Sequence, residues 1–546
     1  MPSDPRPASS APSASSAPPA AAVAVVVLGR DGAPVTDAVR SALAQGPAVR
    51  EVIVVPGASG RADGGATPPG DPRVRVVRHP DGPVAPRDTG LGAVGAPYVM
   101  FLDGGDVLPP GAVEALLRAA TGADAQVVSG LCVRRELPSG RETRWLPTLY
   151  AAPAVLPEPE RQPRLVHDTL YVNKLYATAF LREHGIRFPE GRPTHEDAVF
   201  TARVWAARPR TALIPDRVYL WQVDRSAAPA GTAGTAGGAD PVDLDVWRAR
   251  TGACRTAHTT LLEAGQARLA RAVRAGFLDH DLRRSVRELP QYDDTHRRAW
   301  WAHTRAFLSG FDAADWDRDP VAPGRLIGRV LLASTEPRDL DRLRNLAARP
   351  ARLLPPYAHT EDGTPCWSDD LPGIELDGLL TRPVALLPLA VDAELRLTAR
   401  SGTLRLRLHD LYGRVELVGA LAVDVEWRHR GPEGAAVRRT VPLRASTEGG
   451  WTVETAVRPA RLASLGPGAW DLRLRLRFRD GSDREVTAHA VDGPGLLDRR
   501  VLPSRRHGVL LVRPYATHSG SLAVRVAAGV HGLAAVTRAR VRRLVH

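Results

Sequence analysis

Between residues 23 and 128 the chain alternates short β-branched runs with stretches whose apolar positions recur at helical spacing. Residues 23–28, 51–55, 74–77, 98–102 and 125–128 read as strands, and 39–45 and 111–121 as helices. Strands alternating with helices imply an α/β domain with a mostly parallel, Rossmann-like sheet. On such sheets ligands gather beyond the carboxyl ends of the strands, so the residues just after Leu28, Val55 and Leu102 are where chemistry is sought.

Further along, the pattern changes twice. Residues 227–240, built around Gly-Thr-Ala repeats, read as a flexible linker. Residues 242–349 read as amphipathic helices, with Leu261, Leu262, Leu269, Val273, Phe277 and Leu278 on apolar faces and Pro290, Pro320 and Pro323 as breaks. After Pro350 the period becomes two: residues 472–479 alternate Leu or Phe with Arg and run into Asp480-Gly481, while 404–408 and 423–427 repeat the alternation. Short strands between Gly/Pro turns imply a C-terminal all-β, immunoglobulin-like sandwich with arginines on its outer face. Two more alternating runs lie within 510–526, and four arginines follow between 538 and 543. The expected organisation is a disordered tail (1–21), an α/β domain (22–226), a linker (227–240), a helical region (241–350), a β-sandwich (351–530) and a basic tail (531–546).

Composition narrows the classes. A chain of 546 residues is too long for a single core, and no run approaches the roughly 20 apolar residues that a membrane span needs. The Ala/Pro/Ser-rich start carries only Asp4 and Arg6 as charges and lacks the basic region of a secretory signal, so a cytoplasmic protein is expected. Cys132, Cys254 and Cys366 are too far apart for a zinc set and fit reduced, buried thiols. The net charge of +13 comes from arginines interspersed with acids. That pattern sets nucleic acid aside and favours peripheral attraction to an anionic membrane surface or a phosphate-rich polymer.

The motifs then point to one family. The first strand leads to Ser41-Ala-Leu-Ala-Gln45, and the second is Glu51-Val-Ile-Val-Val55. Pro86-Arg87-Asp88-Thr89-Gly90-Leu91 and Tyr98-Val-Met-Phe-Leu-Asp103-Gly-Gly-Asp106 follow. The second half carries Tyr171-Val-Asn173-Lys174-Leu175-Tyr176, Phe180 to Phe188, His195-Glu196-Asp197 and Tyr219-Leu-Trp-Gln-Val-Asp-Arg. These segments resemble the family-2 inverting glycosyltransferases of GT-A fold, in particular bacterial members that decorate cell-surface polymers. The order of α/β domain, helices and sandwich is similar to wall-teichoic-acid glycosyltransferases, whose C-terminal sandwiches assemble the enzyme.

The resemblance implies a nucleotide-sugar donor, a cell-envelope polymer or glycan acceptor, and a Mn2+ or Mg2+ ion that neutralises the departing diphosphate. On this sequence it assigns Asp103 and Asp106 to the metal and Asp31, Arg87, Asp88 and Asp103 to the donor. It assigns Asp197 as the base, with Glu196 beside it, and His195 and Lys174 to the acceptor. It also implies self-association through the C-terminal sandwich. Plainer readings stand beside these. Asp103 and Asp106 are equally at home as loop acids before a helix, and Glu196 and Asp197 as first-turn acids worth about 0.5 to 2 kcal/mol. Lys174, the only lysine of the chain, suits a buried structural partner as well as a substrate phosphate.

The departures fall on the donor half. Pro56-Gly57-Ala58-Ser59 stands where the family has Asp-Asp-Gly-Ser, Gly105 replaces the middle acid of Asp-x-Asp, and Leu28-Gly-Arg30-Asp31 replaces Pro-x-Tyr-Asn. Two accounts follow: an active enzyme with arginines such as Arg30 or Arg87 carrying part of the diphosphate charge, or a degenerate module that binds a polymer or a partner without transfer.

Overall fold

The computed structural model describes residues 22–528 except 30–34, 58–70, 81–83, 138–139, 191–194, 225–241, 318–321, 349–350, 352, 354–357, 377–388, 399–400, 410–413, 432–434, 447–449, 492, 494, 505 and 518–519. Asp31, the linker and both terminal tails therefore lie outside the described residues. The chain forms two units, Met1–Phe277 and Leu278–His546.

In the first unit the elements follow as β1 (Val23–Leu28), α1 (Thr36–Leu43), β2 (Val49–Val55), β3 (Val74–Val76), α2 (Pro86–Gly92), β4 (Tyr98–Asp103) and α3 (Ala112–Ala123). Then come β5 (Val127–Leu137), β6 (Arg141–Arg144), β7 (Ala154–Leu156), β8 (Lys174–Ala177), α4 (Thr178–Glu183), α5 (Glu196–Ala206) and β9 (Thr211–Asp224). The unit closes with α6 (Leu244–Glu263) and α7 (Ala267–Gly276). β1 is buried along its whole length, as a central strand covered on both faces must be.

The sheet order is β3-β2-β1-β4-β8-β5-β9-β7, with β6 paired to β5. From β3 to β4 all pairings are parallel, as expected. Beyond β4 the expectation of a mostly parallel sheet is corrected. β8 runs antiparallel to both β4 and β5, and β7 antiparallel to β9, so the sheet is mixed. α2 lies tight on the parallel half: a Cβ at Gly90 would collide with the Val26 side chain. Glycine there lets Arg87, one turn earlier on the same helix, sit above the strand ends.

The expected single helical region is divided. α6 and α7 bury Ala257, Leu261, Leu269, Ala270 and Ala272 in the core of the α/β sheet. Gln266, between these helices, is fully buried and its amide nitrogen donates to the Ala206 carbonyl at the end of α5 (3.1 Å). Leu262 is half exposed, against the expectation, because its neighbour Leu261 already takes the inward position and the next residue turns about 100° away.

The second unit starts with α8 (Arg283–Glu288), α9 (Asp294–Leu308), α10 (Ala313–Asp317), α11 (Pro323–Ala333) and α12 (Leu340–Ala347), packed around the buried Trp300 and Trp301. Strand-rich structure follows: β10 (Ala358–His359), β11 (Pro365–Cys366), β12 (Ala390–Leu397), β13 (Gly402–His409), α13 (Arg414–Val418), β14 (Ala420–His429), β15 (Ala436–Pro442), β16 (Arg444–Ala445) and β17 (Trp451–Val457). The last elements are α14 (Pro459–Leu465), β18 (Gly468–Phe478), β19 (Asp483–Val486), β20 (Ala488–Ala490), β21 (Arg500–Ser504), β22 (Gly508–Ala516) and β23 (Leu522–Ala528).

These strands make a two-stranded sheet, β10-β11, a five-stranded sheet, β16-β17-β13-β12-β20, and a seven-stranded sheet, β15-β14-β18-β23-β22-β21 with β19 paired to β18. The alternation read along β18 holds: Leu472, Leu474, Leu476 and Phe478 are buried, while Arg473, Arg475 and Arg477 face outward. Arg477 pairs with Asp424 (2.6 Å) and Arg475 with Glu485 (2.9 Å), exposed pairs that contribute little each. Cys132, Cys254 and Cys366 are buried free thiols. Among the described residues no helix is long and apolar enough to cross a membrane.

Candidate functional site

At the carboxyl edge of the parallel half, β4 ends on Asp103, paired in register with Leu28 of β1. A two-glycine turn then leads to Asp106. The turn is fixed from β9. The Asp103 amide donates to the Tyr219 hydroxyl (3.2 Å), which donates to Asp106 Oδ2 (2.7 Å). The Gln222 amide donates to Asp106 Oδ1 (2.8 Å), and the Gln222 side chain donates to the Gly105 carbonyl (3.0 Å). Gly105 has a φ of +93°, a backbone that favours glycine, so an acid at that position would strain this turn.

Asp103 Oδ1 also accepts from the Tyr171 hydroxyl (2.5 Å). Burial pushes the phenols of Tyr171 and Tyr219 well above their ordinary range, so both remain protonated donors toward the carboxylates. Arg87 lies over the Tyr171 ring, 4.6 Å from its centroid, and over Phe188 at 5.5 Å. Its guanidinium forms an ion pair with Glu196. Burial pulls the Arg87 pKa down, but the carboxylates around it, Glu196 paired with it among them, outweigh burial and raise the pKa. The Arg87–Glu196 ion pair and the Arg87–Tyr171 stack thus tie the start of α5 to the strand-end acid Asp103, which accepts from Tyr171.

α5 begins after His195, whose backbone is left-handed at φ +68° and makes no side-chain cap. Glu196 therefore does more than cap a helix, because its carboxylate is committed to Arg87. Asp197 sits in the first turn of α5, at the positive end of the helix dipole. Beneath the site Phe188 stacks on Phe200 with centroids 3.8 Å apart, and Phe101 packs edge-on to Tyr171 and Phe188. Asp88 holds this floor in place. Both its oxygens accept from the Phe188 amide (3.1 Å), and burial raises its pKa against that bond and the nearby arginines. The structure thus gives Asp88, expected at the donor, an anchoring task.

The acceptor role expected for Lys174 is corrected. Its side chain is fully buried, donating to Asp168 Oδ2 (2.8 Å), Asn173 Oδ1 (3.0 Å) and the Leu170 carbonyl. Burial lowers its pKa, opposed by Asp168. Asp168 in turn accepts from Trp145 Nε1 (2.9 Å), Asn173 Nδ2 (3.1 Å) and the Tyr150 hydroxyl. A side chain enclosed on every side cannot reach an acceptor.

The structure thus pairs Arg87 with Glu196, links Asp103 to them through Tyr171, sets Asp197 next to Glu196 in the first turn of α5, holds Asp106 through Tyr219, and removes Lys174 from the surface. Tyr171, Tyr219, Gln222 and Asp168 carry roles that sequence reasoning misses. The first three lie inside the recognised motifs, so the motifs mark them, but the direction of each bond depends on strand pairing.

Residues 23–181 match the glycosyl transferase family 2 profile, and this segment is a domain of that family. Over 144 residues the chain is 28% identical to the poly(ribitol-phosphate) beta-N-acetylglucosaminyltransferase TarS of Staphylococcus aureus strain Mu50, and 27% identical to that of strain MW2. Each match covers 26% of this chain and 24% of the relative, so the chain spans about a quarter of the length of the curated relatives it matches. Among solved structures, S. aureus TarS aligns over 93% of this chain and 85% of its own, at 14% identity and a TM-score of 0.49. TarS 1-349 in complex with UDP-GlcNAc aligns over 64% and 96%, at 16% identity and a TM-score of 0.46.

Proposed function

We propose that this chain is a glycosyltransferase that moves a sugar from a nucleotide-sugar donor to a hydroxyl of a cell-envelope polymer, with inversion. The observation that carries the reading is the Arg87–Glu196 ion pair stacked on Tyr171, whose hydroxyl donates to Asp103, at the carboxyl edge of a domain that matches the family-2 profile. The curated relatives, named for transfer of N-acetylglucosamine to poly(ribitol phosphate), support a phosphate-bearing polymer as acceptor.

In the proposed reaction the Asp197 carboxylate takes the acceptor hydroxyl proton as that oxygen bonds to the anomeric carbon. The bond from that carbon to the diphosphate breaks on the opposite face, and the nucleoside diphosphate leaves with the electron pair. Arg87 stabilises the departing charge, Glu196 holds Arg87 in place, and His195 contacts the acceptor.

A divalent cation fits this edge in one form. Among the described residues no group of three or more His, Cys, Asp or Glu side chains is placed to hold a metal. Mn2+ or Mg2+ would therefore rest on Asp103, assisted by Asp106, with donor phosphates and waters as its other ligands, the usual arrangement for Mg2+. When bound it supplies Lewis-acid stabilisation of the leaving diphosphate. We further propose that the C-terminal sheets form an immunoglobulin-like sandwich through which copies associate, and that the protein works at the cytoplasmic face of the membrane.

Pro56, Gly57 and the glycine-specific turn at Gly105 favour a second reading, a degenerate module that binds polymer without transfer. Asp197→Asn separates the two, because it keeps the shape and removes the base. Transfer from a panel of sugar nucleotides to a polyol-phosphate polymer should fall by about two to four orders of magnitude, with melting temperature unchanged. Equal turnover in variant and wild type refutes the base assignment, and no transfer by the wild type supports the degenerate module.

A further inference from the structure

We infer that the C-terminal unit holds a second polymer-binding site, specific for a phosphodiester-linked polyol chain, in a cavity of about 380 Å³ lined by Arg438, Arg439, Arg458 and Arg461. The cavity lies between β14 and β15 of the seven-stranded sheet and the end of β17 with the start of α14. It is there because the strand cover is short. β16 pairs only with Trp451 and Thr452 of β17, which leaves Thr455–Val457 without a neighbour on that side among the described residues, and β15 is itself an edge strand.

Arg438 is turned to Glu426 on the other face of β15, whereas Arg439, Arg458 and Arg461 bring three like charges to one concavity, a field that attracts an anion. Of the four, the described residues give an ion-pair partner to Arg438 alone, Glu426 at 2.6 Å. Arg439, Arg458 and Arg461 are exposed and present guanidinium forks suited to phosphate oxygens. Trp427 and Leu462 supply an apolar wall for the carbon chain of a polyol. Thr455, nine-tenths buried at the same wall, has a hydroxyl with no hydrogen-bond partner among the described residues. Separate phosphates joined by short polyol units match guanidiniums spaced around an apolar wall better than one isolated anion does.

The inference rests on the polymer-acceptor reading above and deepens it: the acceptor chain would be gripped away from the transfer site, raising its effective concentration there. The test uses the full chain and a synthetic polyol-phosphodiester oligomer, with inorganic phosphate and a single-stranded RNA of equal charge as comparison ligands. The variant Arg439→Gln/Arg458→Gln/Arg461→Gln changes only exposed side chains. Oligomer affinity should drop at least tenfold in the variant, and the dependence of log affinity on log salt should become shallower by about two to three. Sugar-nucleotide binding should be unchanged, so failure here is distinguishable from failure of the transferase reading, which would appear as loss of donor binding in the wild type. Equal oligomer affinity in variant and wild type overturns the proposal, as does binding of inorganic phosphate or RNA as tight as that of the oligomer.

Discussion

Two cations of the first unit, Arg87 and Lys174, meet opposite environments. Arg87 keeps part of its surface and is surrounded by acids that a substrate phosphate would compete with. Lys174 has no accessible surface, and its ammonium and the Asp168 carboxylate satisfy one another inside a network with Asn173 and Tyr150. Removing one partner of such a pair leaves the other charge buried and uncompensated. Lys174→Met should therefore cost about 3 to 5 kcal/mol in urea-induced unfolding. A stability change below about 1 kcal/mol, accompanied by loss of polymer affinity, would return Lys174 to the acceptor site. At this scale the acids were legible from sequence, because Asp103 ends a strand and Glu196 and Asp197 open a helix. The phenols were not: Tyr219 reaches Asp103 across 116 residues, and only the placement of β9 beside the end of β4 aims its hydroxyl.

At the scale of elements, periodicity tells which face of a helix is buried but not which core receives it. That is why 241–350 reads as one helical region while α6 and α7 complete the α/β core and α8 onward join the second unit. The same limit applies to β8. Its four residues give no sign of direction, and it enters the sheet antiparallel where alternation with helices implied parallel strands. The C-terminal alternation was readable along β13, β14 and β18, because a strand exposed on one face writes its period of two directly into the sequence, whereas β22 buries Leu510, Leu511 and Val512 in succession. A fragment ending at residue 277 should melt cooperatively, whereas one ending at 226 loses Leu261, Leu269 and Ala270 from the core and should not. Calorimetric melting of the two fragments checks this, and equal cooperativity in both would detach α6 and α7 from the fold of the α/β unit.

The molecule as a whole carries a segment, residues 23–181, that matches the family-2 profile with changed motifs, and a C-terminal unit rich in exposed arginine. Pro56, Gly57 and Gly105 stand where the family motifs carry acids, so in the proposed reading fewer carboxylates are left at the donor edge. In the proposed reaction Arg87, paired with Glu196, would then carry more of the electrostatic work. The central claim, that this edge binds a nucleotide-sugar diphosphate, is tested most directly by titration calorimetry of the intact chain against a panel of sugar nucleotides with and without Mn2+. At least one donor should bind in the presence of metal, and Asp103→Asn should weaken it by about tenfold or more, the equivalent of one charge-assisted contact. No heat of binding with any donor, with or without metal, would contradict the account.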